Sequence, residues 1–222
     1  IAAVKRITEE CIPDGFNARP ATPVYEEEPE SVASEMVDCF MDVSSPVFCV
    51  GFKDNHAPSS NGYELLKRGI AGTVLKVILF GRSSAFFENL YDRGLITQEF
   101  YADYEAEREY AAACVGGESE KPLEVLEEIK KLIERVKHDG ISETDFERVK
   151  RSLLGGMIQR FNSPEAAGRF FSNIALLGVF GFDYFEACVK ITIDDVKKVF
   201  DEVYTVTPVI SIVWPEKNKT DL

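Results

Sequence analysis

Histidine and glutamate are the residue types with which proteins most often hold and use a zinc ion, and this chain has little histidine. Only His56 and His138 occur in 222 residues, and they lie far apart in the sequence. No H-x-x-E-H is present, in which two histidines bind the metal and the glutamate is the base. We therefore predict no catalytic residue and no metal ligand here, and place His56 in a loop and His138 in the last turn of a helix.

Thiols are the second kind of chemistry that the residue types allow. The five cysteines are odd in number and form no C-x-x-C, and most lie in apolar or strand-like stretches: Cys11, Cys39, Cys49, Cys114 and Cys188. This pattern favours reduced, buried structural thiols over a disulfide framework or a zinc knuckle. No histidine accompanies a cysteine in a recognisable pattern, so the spacing does not support a cysteine nucleophile.

Aromatic and basic residues between positions 82 and 104 are the candidates for ligand binding. Aromatic rings with arginines nearby suit a cleft that takes an extended peptide. The candidate peptide contacts are Arg82, Phe87, Tyr91, Arg93, Phe100, Tyr101 and Tyr104. The alternative interpretation is that Phe86, Phe87 and Tyr91 are core residues of a short helix.

The composition limits the partners that we expect. The formal net charge is −13, from 38 acidic and 25 basic residues, and no Lys/Arg stripe could neutralise phosphates. No run approaches the ~18 apolar residues of a membrane span, and the start IAAVKRITEEC lacks the apolar segment of a secretory signal. We expect no nucleic-acid partner, no membrane partner and a cytoplasmic location. The start at Ile1 suggests a piece cut from a longer protein.

The chain divides into an arm and one domain. Four prolines and the acidic run at 26–28 predict an irregular, solvated arm over residues 1–35. Residues 36–222 are predicted to form a single domain with a core large enough to fold alone. Its strands are predicted over residues 36–43, 47–53, 100–107, 109–115 and 208–214, from β-prone residues and turn signals, and the first two segments suit two strands or one strand with a break.

Helices alternate with these strands. Apolar residues at helical spacing predict helices over residues 63–80 and 85–93, the second capped by Ser83 or Ser84 and closed by Gly94. Later helices begin at Pro122, Ser142 and Thr192, with Asn162-Ser163-Pro164 bending or restarting the second of these three. Hairpin-like strand pairs with segregated helices predict an α+β fold of two layers, an antiparallel sheet with helices on one face.

Several of these stretches together resemble the second half-domain of the insulinase, pitrilysin and mitochondrial processing peptidase family. The resembling stretches are EEEPESV, VSSPVFCVGFKD, FGRSSAFFENLYDRGLI, the Gly116-Gly117 turn and the run from Gly140 to Lys150, within about residues 23 to 214. The resemblance implies a two-layer half-domain that closes with another half around a peptide. It also implies that zinc, its histidines and the glutamate base belong to that other half, as the only cofactor expected.

The resemblance also implies a substrate-anchoring Arg and Tyr in the second half. Aligning Gly94-Leu95 with the family's Gly-Leu puts Leu90 in the place of the Arg and Thr97 in that of the Tyr, so the pair is absent. Tyr101 or Tyr104, displaced along the chain, is then the candidate for the Tyr role.

The expected function is therefore a non-catalytic half-domain that forms the wall of a peptide-enclosing chamber and is inactive alone. Its expected partners are a zinc-binding half, in the same or another chain, and a peptide. The first alternative is a catalytically silent subunit or scaffold that pairs with an active peptidase. A second is an unrelated α+β binding module. Exposed apolar surface for the other half predicts that the isolated chain self-associates as a homo-oligomer.

Overall fold

The structure is a computed structural model of the whole chain, and it describes residues 1–13, 15–17, 24, 29–56 and 61–216. Five strands form one sheet: β1 Met36–Met41, β2 Val47–Lys53, β3 Tyr101–Ala106, β4 Ala111–Glu118 and β5 Val209–Pro215. The helices are α1 Ala2–Cys11, α2 Gly62–Phe80, α3 Ala85–Asp92, α4 Pro122–Asp139, α5 Glu143–Arg160, α6 Pro164–Leu176, α7 Asp183–Lys190 and α8 Ile193–Val199. A π-helix, Phe200–Tyr204, continues α8.

The strand order in the sheet is β1-β5-β2-β4-β3. Strands β5, β2, β4 and β3 pair antiparallel, as predicted, but β1 pairs parallel with β5. The prediction of a purely antiparallel sheet is therefore wrong at this edge, and the α+β class is confirmed with a mixed sheet. The physical reason is that β5 lies between β1 and β2, so the two consecutive strands do not pair as a hairpin.

The core lies on one face of the sheet. Alternate residues of the central strands, including Phe48, Val50, Phe52, Val115 and Ile212, are 0–2% exposed and join one apolar cluster with the helices. Since successive side chains of a strand point to opposite faces, the helices pack on one face, as predicted. Helix α2 lies centrally and contacts β3, α3, α5, α7 and α8.

Local signals explain most helix ends. Ser84 and Ser142 accept hydrogen bonds from the backbone N–H three residues on, and Thr192 and Asp195 form a reciprocal capping box. Gly94, with φ of +65°, closes α3 where a side chain would be strained. Pro164 starts α6 after α5 has ended, which confirms the restart.

The arm contains a helix that the sequence patterns did not predict. Residues Ala2–Cys11 form helix α1, so the irregular arm is corrected there, although none of its residues is buried. The acidic run at 26–28 lies outside the described residues. The prediction of an arm over 1–35 and a domain over 36–222 remains a prediction.

One segment meets the length and composition criteria for a membrane span, against the expectation from the sequence. It covers Gly62–Asp92, and the mean hydropathy of its most apolar window of 18 residues is 1.4. Within that window, 56% of the residues are buried inside the protein. Burial of this extent is typical of a core helix, which agrees with the packing of α2 on the sheet, and the absence of a membrane partner stays a prediction.

Candidate functional site

The face of the sheet that is turned away from the helices is the candidate site, and we call it the open face. The register places one side chain of each strand in a row across it. The open face consists of Val37, Cys39, Met41, Val47, Cys49, Gly51, Lys53, Tyr101, Asp103, Glu105, Ala112, Cys114, Gly116, Glu118, Val209, Ser211 and Val213. None of these side chains belongs to the core cluster.

Small residues occupy the centre of the open face and larger ones its edges. The middle row runs from Val37 through Ser211, Cys49 and Gly116 to Tyr101. Val37 is 52% exposed and Tyr101 49% exposed, at opposite edges of the sheet. Serine, cysteine and glycine therefore lie between larger residues in this row, and the Tyr101 ring extends over Gly116.

Tyr101 lies across β4 and reaches β2. Its hydroxyl donates to Cys49 Sγ at 3.9 Å. Gly116 makes this possible, because a Cβ atom there would lie 2.8 Å from the Tyr101 hydroxyl oxygen. Burial and the neighbouring Cys49 raise the pKa of Tyr101, so its hydroxyl remains a donor at neutral pH.

Cys114 is a second neighbour of Cys49 on the open face, two residues along β4 from Gly116. The Cys114 thiol and, to a smaller extent, the Tyr101 hydroxyl lower the pKa of Cys49 to about 6, against the effect of burial. The neighbouring Cys49 and burial raise the pKa of Cys114. The two thiols therefore affect each other's protonation.

The cysteines are less buried than the sequence predicted. Cys188 alone is buried, Cys49 and Cys114 are half-buried, and Cys11 and Cys39 are exposed, all five as free thiols. The expectation of buried thiols is thus wrong for four of them. Strand alternation is the reason for Cys39, Cys49 and Cys114, because their places in β1, β2 and β4 point them away from the helices. Cys11 lies in α1, where no residue is buried.

The predicted peptide contacts do not form one cluster. Phe87 and Phe100 are 8% and 6% exposed, and their ring centroids lie 6.0 Å apart in the core. Phe86 is also buried, so the alternative that Phe86 and Phe87 are core residues is confirmed. Tyr91 differs, since it stacks on Phe87 at 5.7 Å but keeps 43% of its surface exposed.

The charged members of that set lie on the surface of the helix layer. Arg82 donates to the Gln98 carbonyl at 3.2 Å, and the Gln98 amide lies 3.5 Å from the Tyr91 hydroxyl. Arg93 lies farther along and pairs with Glu128 of α4 at 3.3 Å. Only Tyr101 of the seven predicted residues lies on the open face.

The two positions expected for the anchoring pair do not supply an anchor. Leu90 is 1% exposed and belongs to the core, and the Thr97 hydroxyl accepts from the Glu99 backbone at 3.2 Å. Of the two candidates for a displaced Tyr, Tyr104 is 6% exposed and its hydroxyl donates to Asp54 at 2.6 Å. Tyr101 is the one that remains accessible.

Tyr104 belongs to a buried ionic network that the sequence did not reveal. Arg68 donates to both oxygens of Asp54, at 2.8 and 2.7 Å, and to Glu202 at 2.6 Å. Burial favours protonation of Asp54, but the hydrogen bonds from Arg68 and Tyr104 outweigh it and hold its pKa below the ordinary value. The network joins α2, β3, the π-helix and Asp54, which directly follows β2, and its buried position indicates a structural role.

The described residues do not fit a zinc ion. His138 is exposed beside Asp139, with Nδ1 2.6 Å from the carboxylate, and the His56 backbone N–H donates to Asp54. Among residues 1–13, 15–17, 24, 29–56 and 61–216, no three His, Cys, Asp or Glu side chains come close enough to hold a metal. No step of metal chemistry is therefore assigned to this chain.

Comparison with known proteins decides the family. The family profile described as the peptidase M16 inactive domain matches residues 15–153. This chain belongs to the peptidase M16 family. It corresponds to the inactive domain, which confirms the resemblance to the second, non-zinc-binding half of insulinase-type peptidases.

Relatives agree with this assignment. YmfH of Bacillus subtilis, described as an uncharacterized zinc protease, is 32% identical over 175 residues, which cover 79% of this chain and 40% of YmfH. The structure of an M16-like peptidase from Alicyclobacillus acidocaldarius superposes with a TM-score of 0.87 at 27% identity, covering 97% of this chain and 51% of that one.

A more distant structure supports the fold alone. The peptidase M16 inactive domain structure from Pseudomonas fluorescens matches with a TM-score of 0.64 at 14% identity, over 88% of this chain and 48% of that chain. This M16 domain thus spans about half or less of the length of these three relatives.

Proposed function

We propose that this M16 inactive domain forms one wall of a chamber that encloses a peptide, and that a zinc-binding half, in the same or another chain, supplies the zinc, its ligands and the base. The observation that carries the proposal is the open face. Among the residues that the structure describes, helices cover one side of the five-stranded sheet, and the other side presents exposed side chains at both edges.

The chemistry of the open face suits an extended chain. Val37 and Met41, 52% and 53% exposed, offer apolar contact at the β1 edge. Tyr101 extends from the β3 edge over Gly116 and presents an amphipathic ring that is 49% exposed. In this arrangement the domain orients and encloses the peptide, which raises the effective concentration of the scissile bond at the partner's metal.

The residues that this domain brings together indicate which part of the reaction the other half must supply. Hydrolysis by a zinc-bound water needs metal ligands and a carboxylate beside them, and the described part of this domain does not bring such residues together. Its contribution is therefore limited to binding, orientation and exclusion of water. We expect the domain to be inactive alone.

The test is reconstitution with the H-x-x-E-H-containing half of the parent protein or of its partner subunit. We expect the mixture to form a one-to-one complex by size-exclusion chromatography with light scattering, and to cleave a fluorogenic peptide in a chelator-sensitive manner. Neither half should cleave alone. A complex without cleavage would favour the silent subunit or scaffold, and no complex would refute the pairing. The isolated domain should form homo-oligomers if an exposed apolar surface is left without its partner, and a monodisperse monomer would count against this expectation.

A matched pair of substitutions tests the open face itself. Tyr101→Ala removes an exposed ring from the open face, and Tyr91→Ala removes a similarly exposed ring from the helix layer. Loss of an aromatic contact worth about 1–2 kcal/mol raises KM about 5- to 30-fold, so we expect that effect for Tyr101→Ala and little change for Tyr91→Ala. The reverse pattern would place the peptide near Arg82 and Tyr91 instead.

A further inference from the structure

Given the proposed pairing with a zinc-binding half, on which this inference rests, we propose that helix α1 docks on that half through one apolar stripe. The stripe consists of Ala3, Val4, Ile7 and Cys11. The inactive domain is then tied to the zinc-binding half by a helix of its own chain, in addition to any contact around the peptide.

Helical spacing places the stripe on one face of α1. Val4, Ile7 and Cys11 lie at i, i+3 and i+7, and Ala3 precedes Ile7 by four residues. Apolar residues at this spacing form the face that a surface helix turns toward a core. In α1 that face is uncovered, since Val4 is 68% exposed, Ile7 is 54% exposed and no residue of the helix is buried. The described part of this domain therefore does not supply a core for the stripe.

The short length of α1 is a second reason to expect a partner. The helix has 10 residues, and isolated helices shorter than about 12–15 residues are marginal in water. Ile1 makes no side-chain capping hydrogen bond, and the last turn has no basic residue. The ion pairs along the helix are exposed and contribute little. Packing of the apolar face is therefore the main source of stability that remains for α1.

The polar face of α1 favours a protein partner over a membrane. Lys5 lies 3.8 Å from Glu9, and Arg6 lies 3.5 Å from Glu10, so the charges on this face balance. Helices that lie on a membrane surface have a polar face rich in Lys and Arg. The balanced face of α1 suits water, and its stripe suits an apolar protein surface.

The matches to relatives indicate where that protein surface belongs. The inactive-domain profile begins at residue 15, so α1 lies outside the pattern of this domain. The match covers 40% of YmfH and 51% of the Alicyclobacillus acidocaldarius chain, so about half or more of each relative lies outside it. Each relative thus has enough additional chain for a second domain that covers the stripe, and we assign this position to the zinc-binding half.

The experiment uses the full chain and a separately produced zinc-binding half. Isothermal titration calorimetry gives their Kd for the unsubstituted chain, for Ile7→Gln and for the matched control Glu9→Gln on the opposite face. Glutamine favours helices about as well as glutamate, so both variants keep α1. Loss of one buried isoleucine side chain predicts a Kd about 10- to 100-fold higher for Ile7→Gln. The Kd of Glu9→Gln should change less than about twofold. Equal affinities of all three chains would overturn the proposal.

Unfolding of the isolated chain separates docking from a general effect on the fold. Because no residue of α1 is buried in this domain, Ile7→Gln should leave the guanidinium midpoint of the isolated chain unchanged. The fluorescence of Trp214 in β5 reports on the domain itself. A clearly lower midpoint in Ile7→Gln would show that the stripe packs on its own domain, and would overturn the proposal.

Thiol labelling locates the contact within the complex. Cys11 lies in the stripe and is exposed in this chain. Its alkylation by iodoacetamide, followed by peptide mass spectrometry, should slow about 20-fold when the free zinc-binding half is at about 20 times Kd, since only the unbound chain reacts. In the variant that combines Cys11→Ser with Glu9→Cys, the thiol on the opposite face should react equally fast with and without the half.

The outcomes distinguish a failure of this docking from a failure of the pairing. A complex in which Cys11 stays reactive would overturn docking of α1 and leave the pairing of the halves intact, whereas no complex would refute both. Protection of Cys11 in the isolated chain that the zinc-binding half leaves unchanged would mean that a second copy covers the stripe. Ile7-dependent sedimentation with anionic vesicles would mean that a membrane surface covers it, and either result would overturn the proposal.

Discussion

The buried pair between Asp54 and Arg68 is a site where we expect a single substitution to cause a large loss of stability. The Asp54 side chain has no exposed surface, and that of Arg68 is 12% exposed. Arg68→Met removes two hydrogen bonds of 2.7 and 2.8 Å to one carboxylate. It leaves a buried charge whose remaining donors are the Tyr104 hydroxyl and the His56 backbone N–H.

The magnitude follows from that geometry. Breaking a buried pair by removing one partner costs about 3–5 kcal/mol, and the two remaining donors to Asp54 place the loss near the lower end of this range. Glu202 loses its 2.6 Å bond as well, but it is 21% exposed and keeps Lys198 at 3.9 Å. We therefore expect a loss of about 3 kcal/mol, or a Tm lower by about 6–12 °C for a chain of this size.

Two further variants make the measurement decisive. Arg169→Met breaks an exposed pair with Glu165, whose side chains are 73% and 81% exposed, and should change stability by less than about 0.5 kcal/mol. Asp54→Asn combined with Arg68→Met removes the uncompensated charge and should recover more than half of the loss.

The assay is equilibrium unfolding in guanidinium chloride. Trp214, the single tryptophan, reports through its fluorescence from β5, with circular dichroism as the second probe. If Arg68→Met loses less than about 1 kcal/mol, or if the double variant is less stable than Arg68→Met, the argument from the buried charge is refuted.

Three other substitutions or conditions test the packing and the electrostatics. Gly72→Ala should destabilise the protein by about 1–3 kcal/mol in chemical denaturation, because the new Cβ would lie 2.1 Å from the buried Tyr104 ring. Gly69→Ala in the same helix is the control, since its new Cβ meets open space and should stabilise the protein by about 0.5–1 kcal/mol. Tyr204→Phe should be neutral or raise Tm, since that hydroxyl is buried without a partner in the described part of the chain. The pKa of Asp54 is lowered in the folded state, so the ionised carboxylate contributes fully to stability above about pH 5, and this contribution is lost as the pH falls below about 3.8. The free energy of unfolding should therefore decline at low pH, and it should decline less steeply in Asp54→Asn.

Local sequence signals predicted where helices and strands lie better than they predicted which strands pair and which helices pack together. Ser84, Ser142 and Thr192 mark helix starts because capping is decided within four residues. Helix α1 was missed, although the i,i+4 pairs Lys5–Glu9 and Arg6–Glu10 are a signal that could have found it. Helix α7 was not predicted, because it begins after Phe182 without a side-chain cap and so lacks the start signal that marks the equally short α3.

The candidate site was less predictable because it depends on register. Tyr101 was identified as a candidate from its residue type, but Phe87 and Phe100 nearby in sequence point into the core. Cys49 and Cys114 are 65 residues apart in the chain and become neighbours only when β2 pairs with β4. A shift of that pairing by one residue would turn one cysteine to the other face, so no spacing rule could have linked them.

The mixed sheet shows how a correct list of strands can still give an incorrect topology. Strands β1 and β2 are close in sequence and predict a hairpin, yet β5, the last strand of the chain, lies between them. Its register pairs Asp38 of β1 and Phe48 of β2 with the same residue, Ile212. Because β1 pairs only with β5 among the described strands, β1 cannot join the sheet until the C-terminal strand is in place. Contacts of such long sequence separation form slowly, so we expect β1 to be the last strand to gain protection in pulsed hydrogen exchange during refolding. Protection of β1 together with β2, before β5, would indicate that a transient hairpin forms first and is later opened.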